Sequence, residues 1–274
     1  MDLAQAQRLA SAPLRQAQRY RMLLLPFSLS VATLFWHLFA HLGGFPAFIL
    51  PTPGLVWQRS VQALLDGSLV RHTGVTLGEV LAGLVLGVCS ATALGYLLAK
   101  SPAFEQLLSP YIIASQSVPL VAIAPLLVIW FGPGLLSKVL ICALIVFFPV
   151  LVNTIVGLRT VPEELYELMR SLQATPRQMF TYLEVPAALA VFLGGLRIGA
   201  TLSVIGAVVG ELVGADRGLG FLINVGRGQY DTALVFVAVF TLIGMALSLY
   251  GLVVLLEKRL LAWQQRPQSP IQLS

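Results

Sequence analysis

Acid–base or nucleophilic catalysis needs paired carboxylates, a histidine with a carboxylate, or a nucleophile beside a base. Within its apolar stretches this sequence offers only Glu79, Arg197 and Glu211, widely separated, and neither Gly-x-Ser-x-Gly nor His-Glu-x-x-His occurs. Arg197 and Glu211 lie fourteen residues apart, about 21 Å along a helix, too far to pair with each other. Each such charge therefore needs a partner, water or a subunit interface. His37 and His41 stand four apart, as two metal ligands on one helix face would, but no third ligand is near, and polar interfacial residues beside Trp36 are the preferred reading. Cys89 and Cys142 both sit in apolar runs, where a cysteine behaves as a small buried hydrophobe, so neither a disulfide framework nor a metal site is expected. No Gly-Lys dipeptide exists, hence no Walker A loop to hold ATP. The chain is read as no enzyme and as carrying no cofactor of its own.

Charge gathers instead in one long polar interruption, from Arg159 to Gly199. Thr160 stands three residues before Glu163, and Thr175 three before Gln178 with Pro176 at the first helical position, so each Thr is a predicted helix cap. Two short helices joined near Gln173 follow. Glu163, Glu164, Glu167 and Arg170 recur at three and four positions as one charged stripe, opposite Leu165, Leu168, Met169 and Leu172. Pattern alone also admits an ordinary loop with amphipathic helices resting on a bilayer.

The segment resembles the EAA loop of binding-protein-dependent ABC importer permeases: Glu-Ala-Ala, three residues, Gly, nine residues, Ile, one residue, Leu-Pro. Glu167 takes the Glu, Leu183 the Ile, Val185 the Leu and Pro186 the Pro, at unchanged spacing. Leu168 and Met169 replace the two alanines and Gln173 the glycine. The resemblance runs from about Ile49 to Trp263 and is nearest the nitrate, taurine and sulfonate branch, where Leu-Pro-x-Pro (Leu50 to Pro53), Trp-Phe-Gly (Trp130 to Gly132), Ser-Lys (Ser137, Lys138) and Gly-Leu-Arg-Ile-Gly (Gly195 to Gly199) recur in this order. It implies a type I importer permease fold, with Glu163, Glu164, Glu167, Arg170, Gln173 and Ala174 forming the coupling segment that fits a groove on the ATPase. It also implies partners: a cytoplasmic ATPase dimer that binds the ATP, an extracytoplasmic solute-binding protein and a second permease copy as a homodimer.

The elements that must position these residues are membrane helices. Mean hydropathy is +0.86 and only 11% of residues are charged, against about a quarter in soluble domains. An all-α polytopic inner-membrane protein is expected. Its segments are a basic cytoplasmic stretch at 1–21, a six-span domain at 22–256 with the coupling loop at 159–186, and a cytoplasmic tail at 257–274. No cleavable signal peptide is evident. Both termini inside divides the 17 Lys and Arg as eleven inside, five outside (Arg59, Arg71, Lys138, Arg217, Arg227) and Arg197 within a span, which satisfies the positive-inside rule. The net charge of +5 has no aromatic-interleaved basic stripe with it, so nucleic acid is not a partner.

Gly83, Gly87, Ala91 and Gly95 in the second span, and Gly195, Gly199, Ser203, Gly206 and Gly210 in the fifth, form small-residue rows suited to close helix packing. The first span is expected at about Met22 to Leu42, Thr52 is expected to cap a surface helix from Pro53 to Leu65, and the Gly-rich stretch Ala215 to Asp231 is expected as an outer loop. The third span, Pro110 to Phe131, is interrupted by Pro119 and Pro125. A helix broken at that depth lines a cavity or simply kinks to pack, and with Ser115, Gln116 and Ser117 beside the break, this stretch is the first choice for the translocation path, with Glu211 added. An ion-coupled secondary transporter is the alternative from another class, but no convincing internal repeat supports it. Sulfonate and taurine relatives tend to show Arg-Pro-x-Pro where this chain has Gln116-Ser117-Val118-Pro119, a Gln-x-x-Pro stretch similar to permeases for riboflavin or thiamine pyrimidines. The resemblance thus leans to a neutral heterocyclic vitamin or precursor, with sulfonate, taurine or nitrate as the alternative.

Overall fold

The computed structural model describes residues 24 and 26–263, without the side chain of residue 120. The basic segment 1–21 and the last eleven residues of the expected tail fall outside them. The described residues form helices and no strand: α1 (26–42), α2 (Pro53–Leu65), α3 (Ser68–Lys100), α4 (Pro102–Ser117), α5 (Leu120–Phe131), α6 (Leu135–Arg159), α7 (Glu163–Ser171), α8 (Pro176–Met179), a π-helical turn (Phe180–Glu184), α9 (Val185–Gly214), α10 (Leu219–Gly228) and α11 (Thr232–Leu260).

Among the described residues four helices are long and apolar enough to cross a membrane: α3, α6, the run Pro176–Gly214 that ends in α9, and α11. The pair α4 and α5, bent by 99°, makes a fifth span if it is counted as one. α1 lies within the segment expected as the first span but is not among these helices; it lays Trp36 against Phe236 and Phe240 of α11, ring centres 5.2 Å and 5.9 Å apart. α2 has the expected bounds, with the Thr52 hydroxyl accepting from the Leu55 amide.

α3, α6 and α9 pack as the central layer. Glycines let them approach: a Cβ on Gly206 would stand 2.8 Å from the Cys142 Cα, and a Cβ on Gly83 would overlap the Cys142 Cβ from the other side. Helix backbones that meet this closely gain dispersion contacts that lipid chains do not replace, which is the force available inside a bilayer.

Three local expectations need correction. Pro125 does not interrupt the third span; it lies inside α5, next to a fully buried Ala124. The break falls at Val118 and Pro119, both extended (ψ 125 and 108), because a proline drives the residue before it out of the helical region. The glycine-rich stretch 215–231, expected as a loop, contains α10, held by buried Leu219 and Leu222. Lys138, counted with the outer-side charges, is not a solvated cation there: it is only 3% exposed and pairs with Glu79 at 3.4 Å.

Candidate functional site

The polar interruption begins where α6 ends. Thr160 does not cap α7, because its hydroxyl turns back to donate to the Gly157 carbonyl, and the extended Pro162 takes the N-cap position. Glu163 and Glu164 in the first turn and Arg170 in the last are placed favourably for the helix dipole. Glu163, Glu164, Glu167 and Arg170 are all exposed, and Glu163 meets Arg170 at 3.4 Å in a solvated pair that contributes little. The apolar side is uncovered as well: Leu165, Leu168 and Leu172 are 41%, 54% and 68% exposed. Tyr166 and Met169 are the residues of α7 that turn inward, each half-buried. Burial first, then the Glu184 carboxylate, raise the Tyr166 phenol above its ordinary range, so it stays a neutral ring.

α7 ends in a Schellman motif. The Ala174 amide donates to the Met169 carbonyl and the Gln173 amide to Arg170, while Gln173 takes φ 54. This is the position where the EAA pattern has glycine, and the backbone here explains that glycine: only a residue without Cβ takes a positive φ without strain. The chain then restarts at the Thr175 capping box with Gln178 and widens into the π-helical turn, whose extra residue brings Leu183 and Glu184 inside. Glu184 accepts a hydrogen bond from Lys100, the last residue of α3. At the same end Arg159 of α6 pairs with Glu105 of α4, and Arg197 of α9 with Glu257 of α11. Glu257, placed by sequence at the start of the tail, is thus the partner that Arg197 required, because α11 runs on to Leu260.

Ser115, Gln116, Ser117 and Pro119 lie together at the break between α4 and α5, all exposed. The two serine hydroxyls donate to their own helix, to Tyr111 and Ile113 carbonyls at 2.7 Å and 3.3 Å, which leaves the Gln116 amide as the free polar group of the three. Glu211 does not join them. It is fully buried near the other end of the bundle, accepting from the Thr76 hydroxyl at 2.7 Å and from the Gly220 amide. Around it His72 accepts from the Gly218 amide at 2.9 Å, and Thr76 from the Leu219 amide at 2.8 Å. His72, Thr76, Glu79 and Lys138 were missed as a group by sequence reasoning. A signal existed: His72, Thr76 and Val80 continue, at steps of four, the face that carries the glycine row of α3. Among the described residues no cluster of His, Cys, Asp and Glu can hold a metal; His37 and His41 are both exposed, rings 5.9 Å apart.

The sequence matches, over residues 83–262, the family described as binding-protein-dependent transport system inner membrane component. It is 47% identical over 256 residues, 93% of this chain and 96% of the relative, to the riboflavin transport system permease protein of Chloroflexus aurantiacus. It is 36% identical to the formylaminopyrimidine transport permease protein of Halalkalibacterium halodurans, over 84% of this chain and 92% of that one. In fold it is similar to the inward-facing methionine ABC transporter, with a TM-score of 0.62 at 19% identity, over 72% of this chain and 97% of that chain. This chain belongs to the binding-protein-dependent inner-membrane component family, the permease subunits of ABC importers, in which the ATPase is a separate chain.

Proposed function

We infer that this chain moves a neutral heterocyclic vitamin, riboflavin first, into the cytoplasm. The observation that carries this reading is the 47% identity, across nearly the whole length of both chains, with a riboflavin permease. Gln116 agrees with it: an uncharged amide at the helix break suits a neutral ring system with donors and acceptors better than an anion. In this reading both termini are cytoplasmic, six spans cross the membrane, and two copies of the chain face each other. Solute passes along Ser115, Gln116, Ser117 and Pro119. Two ATPase subunits seat against Glu163, Glu164, Glu167, Arg170, Gln173 and Ala174, and an external binding protein delivers the solute. Glu211, sealed inside the protomer, holds the fold of the far end and does not touch solute. ATP binding biases a two-state bundle, and the chain supplies no chemistry of its own.

Solute identity is tested on the binding protein encoded beside this chain. Riboflavin is expected to raise its melting temperature at micromolar concentration, with taurine and nitrate giving no shift. Stabilisation by taurine or nitrate alone overturns the vitamin reading, and stabilisation by a thiamine pyrimidine but not riboflavin overturns riboflavin as the solute.

A further inference from the structure

The Lys100 ammonium sits where three elements meet. It pairs with Glu184 of the π-helical turn, lies 5.0 Å from the centre of the Tyr166 ring on α7 and 5.8 Å from that of Tyr96 on its own helix. Tyr96 in turn meets Phe180 of the π turn edge-on, ring centres 5.5 Å apart. Glu184 is 2% exposed, and its Oε2 has no hydrogen-bond partner among the described residues. A carboxylate sealed this far with one oxygen unsatisfied is costly, and a loop that merely rests on lipid headgroups has no use for it. α7 otherwise has a slight hold on the bundle, since its charged stripe, Leu165, Leu168 and the adjoining Leu172 face outward. A cavity of about 350 Å³, lined by Lys100, Arg159, Tyr166 and Arg170 among others, separates it from the span ends. A push on α7 therefore reaches the spans along the chain at its two ends, or through its inward side chains, Met169 and Tyr166, of which the Tyr166 ring is the one that meets the Lys100 ammonium.

We propose that Lys100 is a positioning residue that carries displacement of α7 into the spans, with Tyr166 as the handle and Glu184 as the anchor. Because Lys100 closes α3 and Glu184 opens directly into α9, the pair ties the ends of two central helices to each other and to the loop. Moving α7 then shifts α3 and α9 together instead of letting the loop swing alone. The inference rests on the reading of α7 as the ATPase dock, and goes beyond it in naming the residues that transmit the motion.

The test uses the whole transporter in proteoliposomes: this chain, its ATPase and the binding protein as purified from cells with its native solute. The quantities measured are the amount of ATPase retained per chain and the stimulation of ATP hydrolysis by the binding protein. Lys100→Met is expected to retain the ATPase but to lower stimulation about 2- to 30-fold, the range of coupling terms of this kind. Lys100→Arg restores stimulation, because it keeps both the ion pair and the cation over the ring. Tyr166→Leu, on a helix outside the central layer, lowers stimulation as well, while Tyr166→Phe, which keeps a ring beneath the cation, does not. Should Lys100→Met fail to assemble, the Tyr166 pair decides. Wild-type stimulation in Lys100→Met and Tyr166→Leu overturns the proposal. Glu167→Lys separates the two levels: if it loses the ATPase or its stimulation while the Lys100 and Tyr166 variants behave as wild type, the joint alone is wrong. If Glu167→Lys is itself wild type, the docking reading falls, and the joint with it.

Discussion

Gln173 carries a side chain in the left-handed region at φ 54, a conformation that costs a non-glycine residue about 1 kcal/mol or more. Gln173→Gly is expected to relieve that strain and raise the melting temperature slightly, with transport unchanged; a lower melting temperature would mean that the glutamine side chain holds the turn. Lys138 presents the opposite case. It and Glu79 are 3% and 1% exposed, and removing one member of a buried pair strands the other, at a cost of about 3–5 kcal/mol. Lys138→Met should therefore lower thermal stability in detergent sharply, and Glu79→Gln in the same chain should recover part of the loss. An additive double variant would show that the two groups do not interact. Residues of this kind explain where sequence reading stopped. Gln173 was legible, because spacing against the EAA pattern marked it. The Glu79 and Lys138 pair was not, because partners 59 positions apart in sequence leave no local periodicity.

At the scale of elements, small-residue rows decide which helices become the centre. Gly206 of α9 leaves 2.8 Å between a would-be Cβ and the Cys142 Cα of α6, so Gly206→Leu has to force the two backbones apart. Overpacking of this sort costs about 1–3 kcal/mol or more. The expected outcome is a chain that inserts but melts earlier and no longer assembles a stable transporter, read by size-exclusion profile and thermal unfolding; a wild-type profile would contradict the packing. Apolar length announced α3, α6, α9 and α11, and capping residues announced α2 and α8, because both signals are local. The site of the break in the third span was half legible. Two prolines were visible, but which one opens the helix depends on packing, and Ala124 is buried firmly enough that Pro125 stays helical. The Thr160 cap failed for a related reason: a hydroxyl at the end of a long helix found the Gly157 carbonyl of its own last turn before it could serve the next one.

For the whole molecule, the bundle presents two contrasting ends. At one, His72, Thr76, Glu79, Lys138 and Glu211 are sealed by hydrogen bonds and an ion pair among α3, α6, α9 and the turn into α10. At the other, paired charges link helix ends in twos, and α7 projects with its leucines bare. A rigid end and a loosely clamped end suit a lever: in the proposed reading, force enters at the clamped side and the spans pivot about the sealed one. The direct measurement of this account is accumulation of the solute that stabilises the binding protein, in proteoliposomes containing either this chain alone or this chain with its ATPase, the binding protein and ATP. Accumulation against a gradient only in the complete system, abolished when ATP is withheld, is the predicted result; accumulation by the chain alone would contradict it.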